Sequence, residues 1–416
     1  MLAALLFRQV VREGTLTVVD AAGKAETFGR GSPRVTVRMH DRATEYKLLV
    51  NPKLCLGEAY MDGRLTVEEG SLYDFLELAG RNVVNVENHP LWGVFDRVGR
   101  ALRPIQTFNP VRRARRNVAH HYDLSGELYD LFLDTDRQYS CAYFRSSDED
   151  LDTAQQNKKR HIAAKLQLDR PGLRVLDIGS GWGGLGVYLA ETFDANVTGV
   201  TLSTEQHSYS RDRAAASPAA DRLDFQLTDY REVEGPFDRI VSVGMFEHIG
   251  RRNYGPFFRT VRDLLTDDGA ALIHAIGYAD SPGPINPFMR KYIFPGAELP
   301  SLSEVFSAVE PTGMWATDLE VLRLHYAMTL RAWRERFLAN QASVEELYDE
   351  RFVRMWEFYL ALCEVGFRRR TNMVWQLQLT RRVDTLPITR DYMVDAERRL
   401  LAAEENPVKR ASQSAT

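Results

Sequence analysis

The run Val175-Leu-Asp-Ile-Gly-Ser-Gly-Trp-Gly-Gly184 constrains this chain more than any other stretch. Apolar residues end at Asp177, and a glycine-rich turn leads directly into Leu185 to Ala190, an apolar segment with helical character. A strand, a tight turn and a helix start in that order offer backbone N–H groups to a ligand at the strand's C-terminal end. Gly179, Gly181 and Gly183 let the backbone approach that ligand closely. The Gly-Lys-Ser/Thr of a phosphate loop is missing, and the spacing is not a clean dinucleotide fingerprint. The D-x-G-x-G-x-G form points instead to S-adenosylmethionine, with Asp177, Gly179 and Gly181 as candidate binding residues. A purely structural strand-helix turn is the alternative.

The 416 residues suffice for two or three domains and a large core. Hydrophobic content of 44% with 26% charged residues describes a soluble globular protein, and no apolar run reaches the ~18 residues of a membrane span. The apolar start, Met1 to Val10, lacks a basic leader and reads as an amphipathic helix. Three cysteines, Cys55, Cys141 and Cys363, give no disulfide framework and no metal spacing, which points to the cytosol. A net charge of −4 excludes a global attraction to nucleic acid. Charge is nevertheless concentrated at Arg97, Arg100, Arg103, Arg112, Arg113, Arg115 and Arg116, interleaved with Phe95, Val98, Leu102, Ile105 and Phe108. Two readings fit that segment: contact with an anionic membrane surface, or a solvated linker.

Residues 1–90 read as a small α+β unit. Arg34 to His40 alternates as a half-buried strand does, Tyr46 to Val50 reads as a second strand, Met61 to Leu65 as a turn and Ser71 to Ala79 as a capped helix. Residues 91–116 form the basic linker. From 117 to 403 strands and helices alternate, the sign of a doubly wound α/β fold with a parallel sheet. Strands are expected at 174–178, 196–201, 223–227, 238–243 and 270–276, with a last one near Met373 to Leu379 closing the sheet. Asp280 to Pro300 reads as a long loop. Helical spacing assigns the aromatics Trp333, Phe337, Phe352, Trp356, Phe358 and Tyr359 to core rather than to a ligand cage. Residues 404–416 are a polar tail expected to be disordered.

Ligands of such sheets sit at the carboxyl ends of the strands. The second strand tip carries Thr201, with Gln206 one turn into the next helix, and the third ends at Asp229, an acceptor for an adenine amino group. The fourth ends at Glu247 and the fifth at His274. A carboxylate and an imidazole converging beside a cofactor site suit proton transfer. The alternative is a helix cap at Glu247 and a satisfied core hydrogen bond at His274.

The stretches His121-Tyr-Asp-Leu-Ser, Tyr139-Ser-Cys-Ala-Tyr143, Leu176 to Gly184, Thr201 to Gln206, Ser242 to His248 and Lys291-Tyr-Ile-Phe-Pro295 together resemble the cyclopropane-fatty-acyl-phospholipid synthase family, which includes the mycolic acid cyclopropane synthases. The resemblance runs over roughly residues 1–400, and Ser180 stands where relatives commonly carry Cys. It implies a Rossmann-like S-adenosylmethionine-dependent methyltransferase domain behind an N-terminal lipid- and membrane-interacting domain. The implied substrate is an unsaturated acyl chain of a membrane phospholipid, approached by a peripheral, cytoplasmic homodimer. It also implies a bound bicarbonate held by Cys141, Glu247, His274, Ile276 and Tyr326, while Tyr122, Tyr139 and Ser140 match residues lining the S-adenosylmethionine site.

On that chemistry, methylation of the alkene leaves a carbocation that water must not reach. The faces of Tyr122, Phe246 and Tyr292 are candidates to stabilise it. Bicarbonate then removes a proton and the ring closes, its O–H donated to Glu247 and its other oxygens accepting from His274 and Tyr326. Cys141 offers a backbone N–H rather than a thiolate. Two rivals remain open: a fatty-acyl methyltransferase giving a methyl branch, and an inactive lipid-binding homologue.

Overall fold

The computed structural model describes residues 4–87 and 124–405; the Arg-rich segment, Tyr122 and residues 406–416 of the polar tail lie outside them, whereas residues 404 and 405, expected in that tail, close the helix Asp391–Glu405, where Glu404 accepts from the Tyr188 hydroxyl. The N-terminal unit opens with the helix Ala4–Val10, as its apolar start predicts. Strands β1 (Gly14–Val19), β2 (Ala25–Arg30), β3 (Arg34–Met39) and β4 (Leu65–Glu69) form a four-stranded sheet of order β2-β1-β3-β4. Alternation puts Leu16, Val18, Val35, Val37, Met39 and Leu65 on one buried face. The helix Leu72–Glu87 packs there through Leu72, Phe75, Leu76 and Leu78.

The strand expected at Tyr46 to Val50 is instead the second half of a helix, Arg42–Val50. Asp41 decides it: its carboxylate accepts from the Thr44 backbone N–H at 2.7 Å and from the Thr44 hydroxyl at 2.8 Å. That cap satisfies an end of the helix and outweighs the β-branched, aromatic run. The helix Pro52–Met61 follows, with proline in its first turn.

The larger sheet holds β5 (Arg174–Ile178), β6 (Asn196–Thr201), β7 (Leu223–Leu227), β8 (Phe237–Val243), β9 (Leu265–Tyr278), β10 (Trp315–Val321) and β11 (Asn372–Thr380) in the order β10-β11-β9-β8-β5-β6-β7. The five expected parallel strands are present. The sheet as a whole is mixed, because β11 runs antiparallel to both β9 and β10. The Met373 to Leu379 strand therefore lies inside the sheet, and Trp315–Val321, which the sequence reading missed, forms the edge. Its side chains are largely exposed, so no buried run announces it. The 280–300 segment is a loop interrupted by one wide helical turn, Met289–Ile293.

Helices His325–Ala339 and Glu350–Arg369 carry Trp333, Phe337, Trp356, Phe358 and Tyr359 into the core, as their spacing predicts. The N-terminal unit is clamped to the second of these helices and to the 280–300 segment. Gly57 packs so closely that a Cβ there would lie 2.3 Å from the Phe288 ring. The Tyr60 hydroxyl donates to Glu357 at 2.6 Å, Lys291 to Glu58 at 2.6 Å, and Arg369 Nε to Glu77 at 2.7 Å.

Candidate active site

Two cavities meet at the carboxyl ends of the strands. The smaller, of about 180 Å³, is lined by Asp177, Gly179, Gly181, Thr201, Gln206 and Asp229, together with Tyr139 and Ser140. Gly181 adopts φ +54°, and no atom lies within 4 Å of where its Cβ would stand, so the turn leaves room for a ligand. Ser180 Oγ in the same turn is buried without a hydrogen-bond partner. The Thr201 hydroxyl donates to Gln206 Oε1 at 3.0 Å, fixing that amide. Asp229 is buried and grips its neighbour Arg231, accepting from Nε at 2.7 Å and Nη2 at 2.6 Å. Burial pushes the Asp177 carboxyl up to about 7, against the pull of the Lys158 ammonium. An open glycine turn with an unpartnered hydroxyl, acids below and Gln206 beside it fits a nucleoside carrying an amino-acid-like tail.

The larger cavity, of about 810 Å³, brings together Cys141, Glu247, His274, Ile276 and Tyr326. Glu247 sits on a short helical turn, Phe246–His248, just past β8. It caps no helix: Oε1 accepts the Ile276 backbone N–H at 2.7 Å, and Oε2 is buried with no partner. Burial lifts this carboxyl to about 7, offset in part by the backbone N–H groups it accepts from. His274 lies opposite Gln376 in the β9–β11 register, and Nδ1 is 3.1 Å from the Gln376 amide nitrogen. Burial pushes this imidazole down to about 3, so it stays neutral, and the neighbouring lysines add to the effect. The expected core hydrogen bond of His274 therefore exists and coexists with its place at the cavity wall.

Cys141 is buried, its thiol donating to the Ala142 carbonyl at 3.3 Å, and burial raises its pKa well above the ordinary thiol value. A thiolate role is thus disfavoured. Tyr326 packs its ring against Phe367, with centroids 4.8 Å apart. An orphaned carboxylate oxygen in a cavity wall that also carries a neutral imidazole and a phenol suits a small oxyanion carrying one proton, which is the chemistry of bicarbonate. Among the described residues no cluster of side chains could hold a metal ion.

Two of the proposed cation-stabilising faces are elsewhere. Phe246 is fully buried, stacked on Tyr254 at 4.5 Å, and Tyr292 bonds Glu58 outside the cavity wall. The aromatics that do line the cavity include Tyr139, Tyr326, Phe294 and Tyr359, and the Tyr139 and Tyr359 hydroxyls pair at 2.7 Å. Tyr122 lies outside the described residues.

Supporting residues escaped the sequence reading. Lys158 is buried under the segment 138–140, donating to Gln138 Oε1 at 2.6 Å and Ser140 Oγ at 2.9 Å, and burial lowers its pKa to about 7. Thr329 Oγ1 accepts the Ala142 N–H at 3.0 Å. Nothing marks a mid-helix lysine as buried. Gln376 does carry a signal, since a polar residue in an otherwise apolar buried strand needs a partner.

Residues 110–377 match the family described as mycolic acid cyclopropane synthetase, and residues 5–89 match a domain described as being of unknown function. The chain is 38% identical over 354 residues to the cyclopropane-fatty-acyl-phospholipid synthase of Escherichia coli K12, covering 85% of this chain and 90% of that protein. It is 35% identical over 349 residues to a probable fatty acid methyltransferase of Pseudomonas putida, covering 81% and 85%. The solved structure of the mycolic acid cyclopropane synthase CmaA1, complexed with SAH and CTAB, aligns with a TM-score of 0.61 at 34% identity over 65% of this chain and 99% of that one.

Proposed function

The chain belongs to the mycolic acid cyclopropane synthetase family and is an S-adenosylmethionine-dependent methyltransferase; we propose that it converts the cis double bond of an unsaturated phospholipid acyl chain into a cyclopropane ring. The observation that carries this reading is the buried, unpartnered Glu247 Oε2 in the wall of a largely apolar cavity whose lining also includes His274 and Tyr326. Bound S-adenosylmethionine supplies an electrophilic methyl group. Asp229, Gln206 and the 179–181 turn would hold its nucleoside and tail, and Tyr139 and Ser140 stand in the wall shared with the lipid cavity.

The cavity's apolar wall keeps water from the positively charged lipid carbon, and the faces of Tyr139 and Tyr326 lower the cost of that charge. A bicarbonate held by Glu247, His274, Tyr326 and backbone at Cys141 would supply the base. Glu247 as a carboxylate would accept a hydrogen bond from that ion's O–H, while neutral His274 and the Tyr326 hydroxyl would donate to its other oxygens. The Ile276 N–H contributes by holding Glu247 Oε1 in place, rather than by meeting the ion directly.

The experiment is incubation of the full chain with S-adenosylmethionine and vesicles of monounsaturated phosphatidylglycerol, followed by mass spectrometry of the acyl chains. A cyclopropane product supports the reading. A methyl-branched chain would establish the branching activity named for the Pseudomonas relative, and unaltered lipid would leave only a lipid-binding homologue. Within the same reading, Asp229→Ala should weaken S-adenosylmethionine binding by about 1–3 kcal/mol. Calorimetry showing unchanged affinity would remove Asp229 from the nucleoside site.

A membrane phospholipid substrate would make the chain a peripheral protein of the cytoplasmic membrane face, and the family resemblance favours a homodimer. No described helix is long and apolar enough to cross a membrane. Lys53, Arg290 and Arg370 border the lipid cavity and suit anionic headgroups. Sedimentation with anionic vesicles should weaken with salt; equal binding to neutral vesicles would argue against this, as a monomeric mass in light scattering would against the dimer.

A further inference from the structure

The lipid cavity does not end at the catalytic domain. Its wall continues through Leu16, Val18, Val37, Met39, Phe75 and Leu76, residues that form the core of the N-terminal unit. A domain core normally closes on itself at crystal-like density. Here both the sheet face and the covering helix border open space that reaches Glu247.

Polarity along the cavity has a direction. Lys53 and Arg370 are exposed and Arg290 is half-buried, so the cations stand where solvent reaches. In the N-terminal core the buried polar side chain on the wall is Asn82, and it is fully committed within its own unit. Its Oδ1 accepts from the backbone of Arg12 at 2.7 Å and Glu13 at 3.0 Å, and its amide donates to Glu13 O at 2.7 Å and Leu78 O at 2.9 Å. An occupant of that end finds hydrocarbon and little else, so a polar ligand would be stranded there. The Gly57–Phe288 contact and the Tyr60–Glu357 and Arg369–Glu77 bonds hold this wall against the 280–300 segment and the helix Glu350–Arg369.

We propose that the N-terminal unit is the end wall of the acyl channel. The hydrocarbon segment beyond the double bond stops against Val18, Val37 and Phe75, and the unit thereby selects double bonds by their distance from the methyl end. This inference rests on the acyl-chain reading above.

The test uses full-length enzyme and vesicles containing two phosphatidylglycerols that differ only in the length of chain beyond the double bond. The ratio of their initial rates reports on folded enzyme alone, whatever fraction of a variant folds. Val37→Phe, which shortens the channel, should lower the long-to-short ratio about tenfold, and Phe75→Ala, which lengthens it, should raise the ratio. An unchanged ratio in both variants overturns the proposal. So does an equal shift when the segment between the double bond and the carboxyl is varied instead, because that places the other part of the chain in the N-terminal unit. If the native enzyme alters neither lipid, the acyl-chain reading itself fails and takes this inference with it.

Discussion

Glu247→Gln should lower turnover by about 10²-fold or more, the reach of a positioned proton acceptor, while S-adenosylmethionine affinity stays nearly constant. Glutamine preserves the shape and keeps an oxygen for the Ile276 N–H, so the turn should survive. What it loses is the charge on Oε2, the buried oxygen with no protein partner. Single-turnover assays with calorimetry on the same preparation separate chemistry from binding. Near-native turnover would show that Oε2 accepts no proton during the reaction. A variant releasing methyl-branched alkene would show that Glu247 governs ring closure rather than methylation.

The second large effect is a dependence on pH and on bicarbonate together. Burial raises the Glu247 carboxyl to about 7, so the carboxylate needed to accept a proton disappears as pH falls through that value. At fixed bicarbonate and saturating S-adenosylmethionine, the rate should be level above about pH 7 and fall by about tenfold per unit below it. Saturation matters because burial raises Asp177 into the same range, and its titration belongs to cofactor binding. His274, pushed down to about 3, stays neutral throughout this window. In degassed, bicarbonate-free buffer at pH 8 the native rate should drop and recover on adding the ion, whereas Glu247→Gln should respond weakly. Full native activity without bicarbonate would eliminate the ion as base, and a flat profile down to pH 5 would eliminate the ionised carboxylate.

The strand tips were legible because a parallel sheet ties sequence order to space. Thr201, Asp229 and Glu247 end or follow a strand and Asp177 stands one residue before the end of one, while His274 lies within β9, which runs on to Tyr278, and the fold gathers them. Cys141 and Tyr326 come from a loop and a distant helix, and their convergence is joined through Thr329, which no local pattern announces. Phe246 and Tyr292 were misassigned because a position in a motif does not say which way a ring points; core packing claimed one and a salt-bridged surface the other. The Arg42–Val50 helix shows a short apolar run yielding to a cap, and the exposed edge strand Trp315–Val321 shows that a strand buried on neither face leaves little periodicity.

Tyr139, Ser140, Gly244 and His248 face both cavities. On the proposed reading the two reactants come from different phases, one dissolved in water and one anchored in a bilayer. A wall shared in this way would let each remain in its own phase while their reacting atoms meet between Ser140 and Gly244. On the same reading, separate cavities would let spent cofactor be exchanged for fresh while the acyl chain stays in its own channel.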